Sequence, residues 1–153
     1  MKQVFVINNC GKLNDIAYCS KRIKEHLDAN SVPYENITVM VTHAPKFLSA
    51  QETLKNIFGM PKALFYGEGQ AFIVYHDIHH IESKTIVLLL DENTTTEVVK
   101  ALMHNPGCMG KQQCSEDTGE AKLAPNPAYE FNAKNIRLFT LRSPGDCIYI
   151  GEL

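Results

Sequence analysis

The chain has 153 residues, 44% of them apolar, with 15 basic and 17 acidic side chains and a formal net charge of −2. That is enough apolar material for one compact core over residues 1–153 and too little length for two domains, and the scattered charges lack the basic stripe that a general nucleic-acid groove requires. Apolar runs such as TIVLLL are only of strand length, which excludes a membrane span, and the opening MKQVFVINN is too short in apolar residues for an export signal, so the expected setting is cytoplasmic.

Lys2 to Asn8 is rich in Val, Ile and Phe and alternates little, as a strand buried on both faces does. Asn14 is positioned to cap a helix in which Ile16, Cys19, Ile23 and Leu27 recur at helical spacing, with Asn30-Ser31 as its stop. Ile37 to Thr42 reads as a second strand. Ser49 and Glu52 then suggest a capping box for a helix through Phe58, ended by Gly59 and Pro61. Ala63 to Tyr66 and Ala71 to Tyr75 flank Gly67-Glu68-Gly69, a link that suits an antiparallel hairpin. Thr85 to Leu90 is a further strand, and Thr94 with Glu97 suggests a capping box for a helix carrying Val98, Val99, Ala101 and Leu102. Residues 108–135, from Cys108 to Asn135, are too long and too weakly periodic for an ordinary connection and read as a lid, a binding loop or a mobile insertion. Ile136 to Leu141 and Cys147 to Ile150, around Ser143-Pro144-Gly145-Asp146, suggest a terminal hairpin. The expected fold is therefore α/β: a single-domain mixed sheet with N-terminal βαβα units and antiparallel hairpins in the second half.

Three of the six histidines fall within five residues, in AFIVYHDIHHIES. Imidazole is the side chain best suited to bind a transition metal or to move a proton near neutral pH. As a strand, this run would put His76 and His80 on one face and Asp77 and His79 on the other. As a helical turn, it would bring His76, His79 and His80 together as metal ligands, with a divalent cation as the implied cofactor. The plainer reading is that polar residues mark where an apolar strand leaves the core. The five cysteines, Cys10, Cys19, Cys108, Cys114 and Cys147, form an odd set without a CxxC pair, so reduced thiols are expected rather than a disulfide framework.

In a sheet of parallel βα units, ligands bind beyond the carboxyl ends of the strands. Asn8, Asn9 and Cys10 follow the first strand, His43 and Lys46 the second, and Asp91, Glu92 and Asn93 the strand Thr85 to Leu90. This predicts a common rim. His43 with Asp91 or Glu92 would supply acid/base chemistry, with His76 as a further proton-transfer candidate, while Asn8, Asn9, Cys10 and Lys46 would bind the ligand. Each has a structural alternative: asparagines make turns, and a carboxylate before a helix stabilises its N-terminus. Cys10 is followed by GKLNDIA, which lacks the arginine of a cysteine-phosphatase loop, and Gly11-Lys12 lacks the upstream glycine of a P-loop.

The opening MKQVFVINNCGKLNDIAYCSKRIKEHL resembles the start of small uncharacterised accessory proteins of T4-like bacteriophages, over about the first thirty residues. The resemblance implies a host-cell cytoplasmic setting and no particular activity. From the residues themselves, the expected function is that of a small α/β hydrolase acting on a phosphorylated or nucleotide-derived small molecule by acid/base chemistry. The alternative is a non-enzymatic regulator that binds a protein partner or sequesters a nucleotide. The sequence leaves the oligomeric state open.

Overall fold

The computed structural model describes residues 2–7, 13–33, 36–59, 61–103, 136–143 and 146–153. Strand β1 (Lys2–Ile7) sits inside the sheet, with Val4, Phe5, Val6 and Ile7 all fully buried. Its near-continuous apolar sequence follows from having helices on both faces. Helix α1 (Leu13–Ala29) buries Ile16, Cys19, Ile23 and Leu27, the stripe its sequence spacing predicts. It begins at Leu13, one residue before the expected cap, Asn14. Strand β2 (Ile37–Thr42) is buried throughout.

Helix α2 (Pro45–Phe58) corrects the second expectation. It starts at Pro45, four residues before Ser49, because proline's fixed φ suits the first helical position, and Ser49 and Glu52 become interior helix residues. Gly59 ends it with φ 68°, its N–H donating to the Lys55 carbonyl at 2.8 Å.

Strand β3 (Lys62–Tyr66) pairs parallel with β2, and Ala71–His80 is helix α3, not a strand. The predicted hairpin between Ala63–Tyr66 and Ala71–Tyr75 is therefore replaced by a βα unit. Both periods are present in AFIVYHDIHH, but only the helical one gathers Ala71, Val74, Tyr75 and Ile78 on one face, and these four are the residues buried. Gly69, at φ 80°, makes the left-handed step of the intervening turn, and the Gln70 side chain accepts the Gly67 N–H at 2.8 Å.

Strand β4 (Thr85–Leu89) inserts between β2 and β1, parallel to both. Helix α4 (Glu92–Met103) then leads to β5 (Ile136–Ser143), antiparallel to β1, and β6 (Asp146–Glu152), antiparallel to β5. The terminal hairpin is as expected. Among the described residues, six strands run in the order β3-β2-β4-β1-β5-β6 in one mixed sheet, which with four helices makes an α/β domain. Helices α1 and α2 pack over Phe5, Ile7, Val39, Val41, Val87 and Leu89 on one face. Helices α3 and α4 pack over Val4, Val6, Met40, Ile86, Leu88 and Phe139 on the other. The expected lid at 108–135 lies outside the described residues, and among the described residues no helix is long and apolar enough to cross a membrane.

Candidate functional site

The strand order indicates where a ligand is expected to bind. From β1 the chain moves through α1 toward β2, whereas from the adjacent β4 it moves through α4, on the opposite face, toward β5. Neighbouring strands whose connections leave in opposite directions part at their carboxyl ends, the usual ligand position in such sheets. His43 follows β2 and Asp91 follows β4 at this edge, as predicted. Asn8, Asn9 and Cys10 follow β1 but lie outside the described residues.

Asp91 is the N-cap of α4. Its Oδ2 accepts the Thr94 N–H at 3.1 Å and the Thr94 hydroxyl at 2.9 Å, and its Oδ1 accepts the Thr42 hydroxyl at 2.9 Å. The Thr42 oxygen in turn accepts the Asp91 N–H at 2.9 Å. Aspartate caps a helix because its carboxylate takes up an otherwise unbonded N–H of the first turn. Here it also clasps β2 to β4. The expected acid/base pairing of His43 with Asp91 is not formed: no hydrogen bond joins them among the described residues, and both Asp91 oxygens are engaged elsewhere. Thr94, rather than opening a capping box with Glu97, is the third helical residue; its hydroxyl also accepts the Gly69 N–H at 3.1 Å, tying the β3–α3 turn to the same network. Glu92, exposed at the first position of α4, favours the positive end of the helix dipole.

His43 is exposed, its backbone N–H bonded to the Tyr66 carbonyl at 2.7 Å and its ring edge-on to Phe65 at 6.2 Å. Lys46, exposed in the first turn of α2, holds its Nζ 5.0 Å from the Phe47 ring. These two are the described side chains at the rim that are able to meet a ligand with a titratable ring and a cation.

The histidine run occupies a different place. Lys2, at the opposite end of β1, donates from Nζ to the carbonyls of Ile78 and Ile81 at 2.7 and 2.6 Å, fixing the carboxyl end of α3 at the amino edge of the sheet. His79 turns inward against Tyr75, ring centroids 4.4 Å apart, with its Nε2 buried and without a hydrogen-bond partner. Burial first, then the charges of Lys2, His80 and His76, hold its pKa below the usual imidazole value. His76 is the sixth of the ten residues of α3, on the exposed side of the helix, next to Asp77, whose Oδ2 accepts from the Tyr66 hydroxyl at 2.7 Å. Among the described residues no three His, Cys, Asp or Glu side chains converge on a point that could hold a metal. The His76, His79 and His80 triad is broken because His79 points into the core while its neighbours point out.

Cys147 on β6 is half-buried and packs against the same core as Tyr75. Burial, with the Asp146 charge, pushes its thiol up to about 12, and burial also raises Tyr75 and Tyr66. Acids whose folded pKa exceeds the unfolded value contribute stability that is complete below the unfolded pKa and disappears as pH rises through the folded one. The part of the stability that these acids contribute is therefore expected to hold up to about pH 8.5, the ordinary thiol value, and to fall above it, until from about pH 10 the lowered guanidinium of Arg137 acts in the opposite direction. Cys147→Ser should remove roughly 1–2 kcal/mol of that fall, after allowing for solvent screening of a half-exposed group. Denaturation midpoints between pH 8 and 11 check this; a C147S protein with the wild-type slope would refute it.

Sequence reasoning passed over two parts of this edge. The Thr42 and Thr94 hydroxyls complete the Asp91 clasp, and the D-x-x-T spacing of Asp91 and Thr94 was a legible cap signal. Arg137, opposite Val6 at the start of β5, is 1% exposed and the largest fully buried side chain. Burial lowers its guanidinium to about 10, partly offset by Tyr149 and by Glu152, its register partner on β6. Nothing in IRLFTL distinguishes it from a solvent-facing strand residue.

Comparison with known proteins adds the fold's relatives. No family model matches the chain, and no curated protein matches it. Among solved structures it is similar to a putative phosphohistidine phosphatase SixA from Agrobacterium tumefaciens, with TM-score 0.57 and 11% identity over 99% of this chain and 97% of that one. It is also similar to a putative phosphohistidine phosphatase SixA from Nakamurella multipartitia, with TM-score 0.57 and 9% identity over 90% of this chain and 83% of that one. At this identity the likeness is one of α/β fold.

Proposed function

We propose that the chain is a small hydrolase acting on a phosphorylated ligand, nucleotide-derived or otherwise, held at the carboxyl edge between β2, β4 and β1. The observation that supports this most is the near full-length likeness of its fold to proteins described as phosphohistidine phosphatases. On this reading His43 transfers the proton: it is exposed at the rim, and histidine is the side chain most often used for general acid–base work. Lys46, three residues on, supplies positive charge for the phosphoryl oxygens. Hydrolysis breaks the bond between phosphorus and the leaving nitrogen or oxygen, water provides the new oxygen, and the protonated imidazole returns a proton to the leaving group.

The test is release of inorganic phosphate from a phosphohistidine peptide and from a panel of nucleotides and phosphomonoesters. His43→Gln is expected to lower kcat roughly 100-fold or more, the scale of a lost acid/base group, without changing the melting temperature. Unchanged turnover in H43Q would remove His43 from the mechanism.

A second reading, a non-enzymatic protein that binds a phosphorylated ligand or a protein partner, is favoured by the Asp91 clasp. A carboxylate whose two oxygens are taken up by three hydrogen-bond donors serves as a helix cap and strand clasp, which leaves the rim without that carboxylate for acid/base work. Saturable binding of the same panel with no phosphate release by the wild-type protein would select this reading over hydrolysis.

A further inference from the structure

His76 and His80 are one helical turn apart on the exposed side of α3, and their rings stack with centroids 4.0 Å apart and an interplanar angle of 12°. Residues at this spacing are neighbours on a helix surface, so contact is unsurprising; the states of the two rings are more informative. The Nδ1 of His80 lies 2.7 Å from the carbonyl oxygen of His76. A carbonyl only accepts, so this nitrogen carries the proton and the Nε2 of His80 is left with a lone pair. The Nδ1 of His76 faces Asp77 Oδ1 at 3.4 Å, again an acceptor, which biases this ring to the same tautomer. Asp77 is itself oriented by the Tyr66 hydroxyl. A histidine whose Nδ1–H is held by a carbonyl or carboxylate while Nε2 faces outward is in the arrangement that metal-ligating histidines adopt.

We propose that His76 and His80 form a two-point chelate for a late first-row divalent cation, Cu2+, Ni2+ or Zn2+, through their Nε2 atoms. In the stack the two outward lone pairs run nearly parallel, and to meet one ion at about 2.0–2.1 Å each ring must turn by roughly 45°, a rearrangement that the exposure of both side chains permits. The cation would sit near the negative end of the α3 dipole and close to the Asp77 carboxylate, both favourable to positive charge. Two protein ligands leave the remaining positions to water or to a donor from another molecule. His79 takes no part, since its Nε2 is buried beside Tyr75. The site lies on the second half of α3 and uses neither His43 nor Lys46 of the rim.

The experiment is titration of the chelator-treated full-length protein with CuCl2, NiCl2 and ZnCl2, followed by calorimetry and by the histidine ring protons in NMR. Affinity is expected to be greatest for Cu2+. His76→Gln and His80→Gln should each weaken binding 10-fold or more, because each reduces the chelate to a single ligand, while His79→Gln keeps the wild-type affinity. Should H79Q fail to fold, His43→Gln serves as the control that retains binding. Absence of binding at millimolar metal, a loss in only one of the two exposed variants, or an equal loss in H43Q would overturn the proposal. Phosphate release is not a readout here, so the result stands apart from the proposed hydrolysis.

Discussion

Asp91→Ala is expected to lower stability by about 2–3 kcal/mol, a fall of about 5–10 °C in melting temperature for a chain of this size. The carboxylate accepts from Thr42 and twice from Thr94, so its removal leaves the Thr42 hydroxyl and the Thr94 N–H without their acceptor in a part-buried setting. The loss is shared between a helix cap and a link across two central strands. Thr42→Val, which keeps the shape of the side chain and removes its hydroxyl, should cost about 1–2 kcal/mol alone and roughly half of that in the D91A background, where the backbone N–H of residue 91 still donates to the Thr42 oxygen. A double-mutant cycle by denaturant unfolding measures that coupling. Fully additive losses would mean that the clasp carries no energy of its own and that Asp91 acts only as the α4 cap.

Arg137→Ala should be more damaging, at about 3–5 kcal/mol, because it empties the largest fully buried side-chain site in the sheet. Arg137→Met is expected to recover most of this and end within about 1 kcal/mol of the wild type. The methionine refills the space alongside Tyr149, and Glu152, whose charge helps to hold the guanidinium protonated, is an exposed residue that water can solvate once the arginine is gone. Guanidinium unfolding of the two variants separates packing from charge. If R137M loses as much as R137A, the ionic contact between β5 and β6 outweighs the volume, and the hairpin depends on it.

Much of the fold could be read from local pattern. The Val- and Ile-rich runs of β1, β2 and β4 mark strands covered on both faces, and the Ile16, Cys19, Ile23, Leu27 stripe marks α1, because burial imposes its period directly on the order of residues. Gly59 marked the end of α2 for a conformational reason that needs no partner. The rim followed as well, since right-handed βα units place His43 and Asp91 at one edge wherever their strands are parallel.

The rest depended on contacts distant in sequence. AFIVYHDIHH satisfies both a strand and a helix period, and the choice falls to the helix because the sheet face lined by Met40, Ile86 and Leu88 needs Val74, Tyr75 and Ile78 to cover it. That choice alone turns His79 inward and pairs His76 with His80. Asp91 looked like a catalytic carboxylate until Thr42, 49 residues away, took up one of its oxygens. Composition, strand and helix periods and the common edge were thus determined by the sequence alone. The strand order, the partners of Asp91 and Arg137, and the division of the histidines between core and surface were decided by tertiary structure, because each depends on which segments compete for the same face of one sheet.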